Sequence, residues 1–182
     1  MHRFAFSVLL VALVAGSLVG PAPALATDAD AAAAASRATL ASTILRSHRI
    51  TLATSHASGV RDNATARDNI VDTADGRRAH RSCYGTAPCG SVSLNVAMLR
   101  GMLELRKHFT FRVSEIAGGS HSAGSRHYAG RAFDVDSIDG QAVSASNPHF
   151  RSFMARCRAL GAVEVLGPGD AGHATHLHCG WP

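Results

Sequence analysis

Two short blocks hold side chains suited to binding a divalent metal. The first is Ser125-Arg-His127-Tyr-Ala-Gly130-Arg-Ala132-Phe-Asp134, and the second is His176-Leu-His178. Imidazole and carboxylate suit zinc, and a site with three protein ligands keeps a fourth position for water. Zinc lowers the pKa of a bound water to about 7, which is metallohydrolase chemistry. The run Arg131-Ala-Phe-Asp-Val-Asp136 alternates like a half-buried strand. Phe133 and Val135 then face one way, and Ala132, Asp134 and Asp136 the other. The same period puts His176 and His178 on one face of a last strand, with Leu177 and Cys179 behind. Two strands whose polar faces meet bring Asp134 and His178 to one ion. His127 reaches in from the loop before the first strand, Gly130 permits the turn between them, and Ala132 leaves room beside the site.

On these residues the chain resembles the zinc D-Ala-D-Ala carboxypeptidases and L,D-endopeptidases of peptidoglycan. Those enzymes form one superfamily with lysostaphin-type enzymes and the hedgehog signalling domain. The shared pattern is S-x-H-x-x-G-x-A-x-D followed by H-x-H, and every fixed position is present between Val113 and Trp181. The resemblance implies one zinc per chain, held by His127, Asp134 and His178, and a catalytic role for His176. It also implies a hedgehog/DD-peptidase-like zinc cleft and peptidoglycan peptides as the substrate. Two positions depart from the pattern. Ala174 and Thr175 stand where a general-base carboxylate is usual, and Ser114–His121 lacks the Arg that clamps a substrate carboxylate. His176, His173, Asp170, His121 and Glu115 are the candidate replacements for the base. Arg126, Ser125 and His121 are candidates for substrate contact. Arg131 also flanks the site. The expected activity is carboxypeptidase-like peptide hydrolysis. The alternative is a catalytically inactive zinc-containing domain that binds cell wall or a partner.

The elements that must position these groups follow from the rest of the chain. Residues 1–26 read as a signal peptide: a basic start, an apolar run from Phe4 to Val19, and Ala24-Leu-Ala26 as cleavage site. The expected location is secreted, extracellular or in the cell wall, with no membrane association after cleavage. Net charge is +5 and the basic residues are mostly Arg, a balance that suits anionic wall polymers. One Trp, two Tyr and seven Phe in an exported chain argue against nucleic-acid binding. Four cysteines in such a chain predict two disulfides. Cys83 and Cys89 enclose a short loop and pair with each other. Cys157, on an apolar helix face, pairs with Cys179.

Residues 27–43 are Ala-rich and read as a spacer, disordered or marginally helical. Residues 44–90 read as an N-terminal subdomain without assigned chemistry, with a strand at Arg49–Ala53 and a helix over 63–74. Residues 91–182 carry the metallopeptidase-like domain. There Val96, Leu99, Met102 and Leu103 recur at helical spacing, and Ser93 or Asn95 caps the helix. Phe109–Val113 alternates as a strand, and 118–125 is a Gly-rich loop that delivers His127. Asn147-Pro148 opens a helix that Gly161 ends. Val163–Leu166 and Ala174–Gly180 are the last strands. The order predicts an α+β fold, a small antiparallel sheet flanked by helices.

Overall fold

The computed structural model describes residues 27–182; the expected signal segment 1–26 lies outside the described residues. Four helices flank a mostly antiparallel sheet. The helices are α1 (Asp28–Leu45), α2 (Ala66–Ala74), α3 (Val96–Leu105) and α4 (Phe150–Ala159). The sheet runs β1 (Ile50–Leu52), β4 (Phe111–Glu115), β5 (Ala132–Ile138), β8 (Leu177–Gly180), β7 (Glu164–Leu166) in space, and β6 (Gln141–Ala142) pairs with β5. Strand β1 joins β4 in parallel, so the sheet is not purely antiparallel as expected. A separate hairpin joins β2 (Ala79–His80) to β3 (Ser91–Val92).

The Ala-rich segment is not a loose spacer. It is an 18-residue helix with a capping box: Thr27 accepts from the Asp30 amide, and Asp30 accepts from Thr27. Alanine has the highest helix propensity, and the cap satisfies amides left free by the first turn. Ala41 and Ile44 are fully buried, so tertiary packing completes what propensity starts. Helices α2 and α3 are also capped from their own sequence. Thr65 accepts from the Asp68 amide to begin α2, and Asn95 accepts from the Met98 amide to begin α3. Asn147 does not cap α4 directly. It accepts from the His149 amide, and the helix starts at Phe150.

One hydrophobic core runs from Ala41 to Trp181. On β5 the expected alternation holds: Phe133 and Val135 are completely buried in it. Phe133 stacks between Phe111 and Trp181, with ring centroids 6.5 and 5.6 Å apart. Phe153 of α4 meets Phe111 edge-on at 5.2 Å. Trp181 belongs to the core, 1% exposed; its indole N–H donates to the Leu160 carbonyl. Gly101 permits this, because a Cβ there would meet Trp181 at 2.6 Å.

Both expected disulfides are present, Cys83–Cys89 and Cys157–Cys179. The second ties α4 to the back of β8. Two disulfides are the chemistry of an oxidising compartment. No helix among the described residues is long and apolar enough to cross a membrane. Because Cys157–Cys179 closes a separation of 22 residues, chain-entropy arguments predict a loss of about 3 kcal/mol when both are replaced by Ser. A urea melt of Cys157→Ser/Cys179→Ser beside the parent protein measures that shift.

Candidate metal centre

The register of β5 against β8 builds the site. Asp134 lies directly opposite His178, and Val135 opposite Leu177. On the far side of β5, Glu115 of β4 is the partner of Asp134. His127 enters from a turn that closes at Gly130, whose φ of +66° favours glycine. A Cβ at Gly130 would also lie 2.7 Å from the Ser93 carbonyl.

Three ligand-capable atoms converge. His127 Nε2 lies 3.1 Å from Asp134 Oδ1 and 3.0 Å from His178 Nδ1, and His178 Nδ1 lies 3.1 Å from Asp134 Oδ1. His121 is also close: His121, His127 and Asp134 each offer a ligand atom within 4.8 Å of the others, a group able to hold a metal ion. The tighter triangle is the better match to zinc. Four ligands at about 2.0–2.1 Å in a tetrahedron stand about 3.3 Å apart. The His121 ring lies parallel to that of His127, 8° apart in plane and 3.8 Å between centroids. An ion in the plane of one ring is well out of the plane of the other, so the His121 ring would have to turn to join His127 on it.

The surroundings fix these side chains. His127 Nδ1 donates to the Ile116 carbonyl at 2.5 Å, which leaves Nε2 facing Asp134 and His178. Such a bond on the far nitrogen is what orients metal-binding histidines. His178 Nε2 is buried without a hydrogen-bond partner and sits 4.0 Å from Glu164 Oε2. Arg126 Nε holds that carboxylate at 2.7 Å, and its Nη1 donates to the Trp181 carbonyl. Arg126 lines the cleft, but its fork is committed to Glu164 and Trp181. Gly180 makes room for it: a Cβ there would lie 2.6 Å from Arg126 Cδ.

His127, Asp134 and His178 are at most 6% exposed. Two lobes of open space meet above them, about 470 and 560 Å³, and share His121, Asp134 and His176. Ser122, Ser125, Glu164 and His173 line the first lobe; Ala57, Tyr84, Glu115, Val143 and Thr175 line the second. His176 precedes β8 and does not lie on it, because β8 begins at Leu177. Its Nε2 is 4.0 Å from Asp134 Oδ2. Ser125 accepts from the His127 amide and so serves the loop. The Tyr128 hydroxyl joins Thr86 to the backbone of His121.

Glu115 is not a free base. Its carboxylate receives His56 Nδ1 at 2.8 Å, and His56 Nε2 meets Asp62 at 2.8 Å. Burial pushes Glu115 above the ordinary carboxylate range, even against the pull of His56. Burial opposes charge on His56, but Asp62 and Glu115 outweigh it and raise its pKa. Asp136 is also engaged, by Arg112. Sequence reasoning missed His56, Asp62 and Glu164 as supports of the site. Only Glu164, a carboxylate alternating with Val163 and Val165, carried a signal of facing the same side as the ligands.

Charge follows the same geometry. Burial works against ionised Asp134, yet His127 and His178 beside it hold it well below the ordinary range. Burial disfavours charged His127, and Asp134 overcomes that to raise its pKa. Burial and the neighbouring His127 push His121 down to about 4. Burial likewise lowers His176, leaving a neutral proton acceptor at pH 7. No family model, no curated protein and no solved structure matches this chain.

These shifts set the pH response of the metal-free protein. Charged His127 contributes stability fully below its ordinary value of 6.5 and loses it as pH rises through its raised pKa. Asp134 contributes above its ordinary 3.8 and loses it as pH falls through the lowered one. The metal-free melting temperature should therefore fall as pH rises above 6.5, by about 2–4 °C for each kcal/mol lost. Added zinc should reverse the trend, since protons on His127 compete with the ion. Thermal melts across this range, with and without zinc, check both.

Proposed function

We propose that this chain is an exported zinc peptidase that hydrolyses peptide bonds of peptidoglycan stem peptides. The observation that carries the reading is the triangle of His127 Nε2, His178 Nδ1 and Asp134 Oδ1, 3.0–3.1 Å on a side, on the floor of an open cleft. Three electron-pair donors that close must share a cation or a proton. The donor set, two imidazoles and one carboxylate, suits zinc. Zinc bound there supplies a Lewis acid that polarises a carbonyl and makes water nucleophilic near neutral pH.

The chain's own residues do the remainder. His127 is locked by Ile116, and Glu164, held by Arg126, faces the unpartnered nitrogen of His178. His176 lines both lobes and is neutral at pH 7, so it can accept a proton and return it to the leaving amine. It takes the place of the carboxylate absent at Ala174 and Thr175. The cleft lobes hold peptide on either side. The carboxypeptidase-like name rests on motif resemblance; Arg126 and Arg112 are already paired, to Glu164 and Asp136, so neither offers a ready clamp for a terminal carboxylate. The engaged state of Glu115 favours the second reading, a zinc-containing wall-binding or partner-binding domain without turnover.

Metal analysis separates the ligands: wild type and His121→Ala should carry one zinc, and His127→Ala and His178→Ala should carry none. Incubation of the zinc-loaded protein with muropeptides then tests turnover. The expected result is cleavage, with His176→Ala keeping its zinc and losing about 10²–10⁴ in rate, as for removal of a general acid–base group. Zinc retained with muropeptides bound and uncut would establish the binding domain instead.

A further inference from the structure

A second concave surface lies away from the cleft. Its volume is about 330 Å³, and its lining is Arg46, Ser47, His48, Arg49, Arg106 and Lys107. Two chain segments meet to form it. Arg46 caps the C-terminus of α1 and Arg106 that of α3, and these helices pack on each other. The Phe111 amide donates to the Arg49 carbonyl at 2.9 Å, which ties the first segment to the start of β4. A cation at a helix C-terminus is ordinary, because it offsets the helix dipole. One per helix does that work, and this groove gathers Arg46, His48, Arg49, Arg106 and Lys107.

Their charge is largely uncompensated. Ion pairs among the described residues engage Lys107, with Glu104, but none reaches Arg46, Arg49 or Arg106. Four cations against one carboxylate hold most of the net +5 of the chain. Like charges gathered around one groove repel, and an anion relieves that cost. Guanidinium forks match phosphate oxygens. The lining has no Phe, Tyr or Trp to serve as a stacking platform for successive bases, and no apolar side chain to enter a bilayer. The groove sits at the start of β1 and β4, whereas Glu115 at the other end of β4 lines the cleft. Five residues of strand separate them by about 15 Å.

We propose that this groove binds a linear phosphate-bearing polymer and anchors the protein to it while the cleft stays open. The proposal does not depend on turnover at the metal centre. Binding of long-chain polyphosphate to the zinc-loaded protein, followed by fluorescence anisotropy, tests it. About four phosphate contacts predict a loss of affinity of about 50-fold between 50 and 200 mM salt. Arg49→Glu/Arg106→Glu should weaken binding at least tenfold and flatten the salt dependence, with zinc content kept and the melting temperature lowered by only about 2–4 °C, the cost of an anion at the α3 C-terminus. Arg46→Gln/Lys107→Gln gives the same readout should the first pair misfold. Arg61→Glu/Arg67→Glu changes net charge equally outside the groove and should cost much less. Absent binding at low salt, equal losses in the groove and control variants, or tighter binding to an oligonucleotide or to phosphatidylglycerol vesicles would each overturn it.

Discussion

Everything about the site depends on one backbone constraint, the antiparallel pairing that sets Asp134 of β5 opposite His178 of β8. In a strand ladder a slip of one residue turns every side chain to the other face. Such a slip of β8 against β5 would send His178 into the aromatic core, away from Asp134, and bring Leu177 to the cleft. The core prevents it. Phe133 is stacked between Phe111 and Trp181, and Cys179 is bonded to Cys157 of α4 on the same buried side. The hydrophobic face and the disulfide thus fix the register, and the register sets Asp134 beside His178.

The N-terminal half builds the rest of the cleft. The Asp62–His56–Glu115 chain, buried at His56, ties the segment after β1 to the end of β4. Tyr84 comes from the loop that Cys83–Cys89 closes; its hydroxyl meets Ser58, and it lines the second lobe. Asn69 of α2 accepts from the Ala117 amide at 2.7 Å, steadying the strand end next to the Ile116 carbonyl that orients His127. Residues 44–90 are therefore part of the wall of the site, through polar contacts that span long sequence separations.

What could be read from the chain alone divides along the same line. Alternation on 131–136 and the periodic apolar faces of α3 and α4 are local signals, and they hold in the structure. Both cysteine pairings were legible from loop length and face. The Ala-rich segment misled because its helix depends on a cap at Thr27 and on core space for Ala41 and Ile44, and only the cap is local. The parallel pairing of β1 with β4 was not legible, since parallel partners are far apart in sequence. Within the site, His127, Asp134 and His178 followed from spacing. The duties of Glu164, His56 and Arg126 did not, because each is defined by a partner that only folding brings near.

X-ray absorption at the zinc edge of the loaded protein reads out which side chains hold the ion. A site of His127, Asp134, His178 and water gives about four nitrogen or oxygen neighbours at about 2.0–2.1 Å, with scattering from two imidazoles and no sulfur. Three or more imidazoles would place His121 or His176 on the ion, and absence of stoichiometric zinc would remove the metal centre; either result contradicts an open site made by His127, Asp134 and His178.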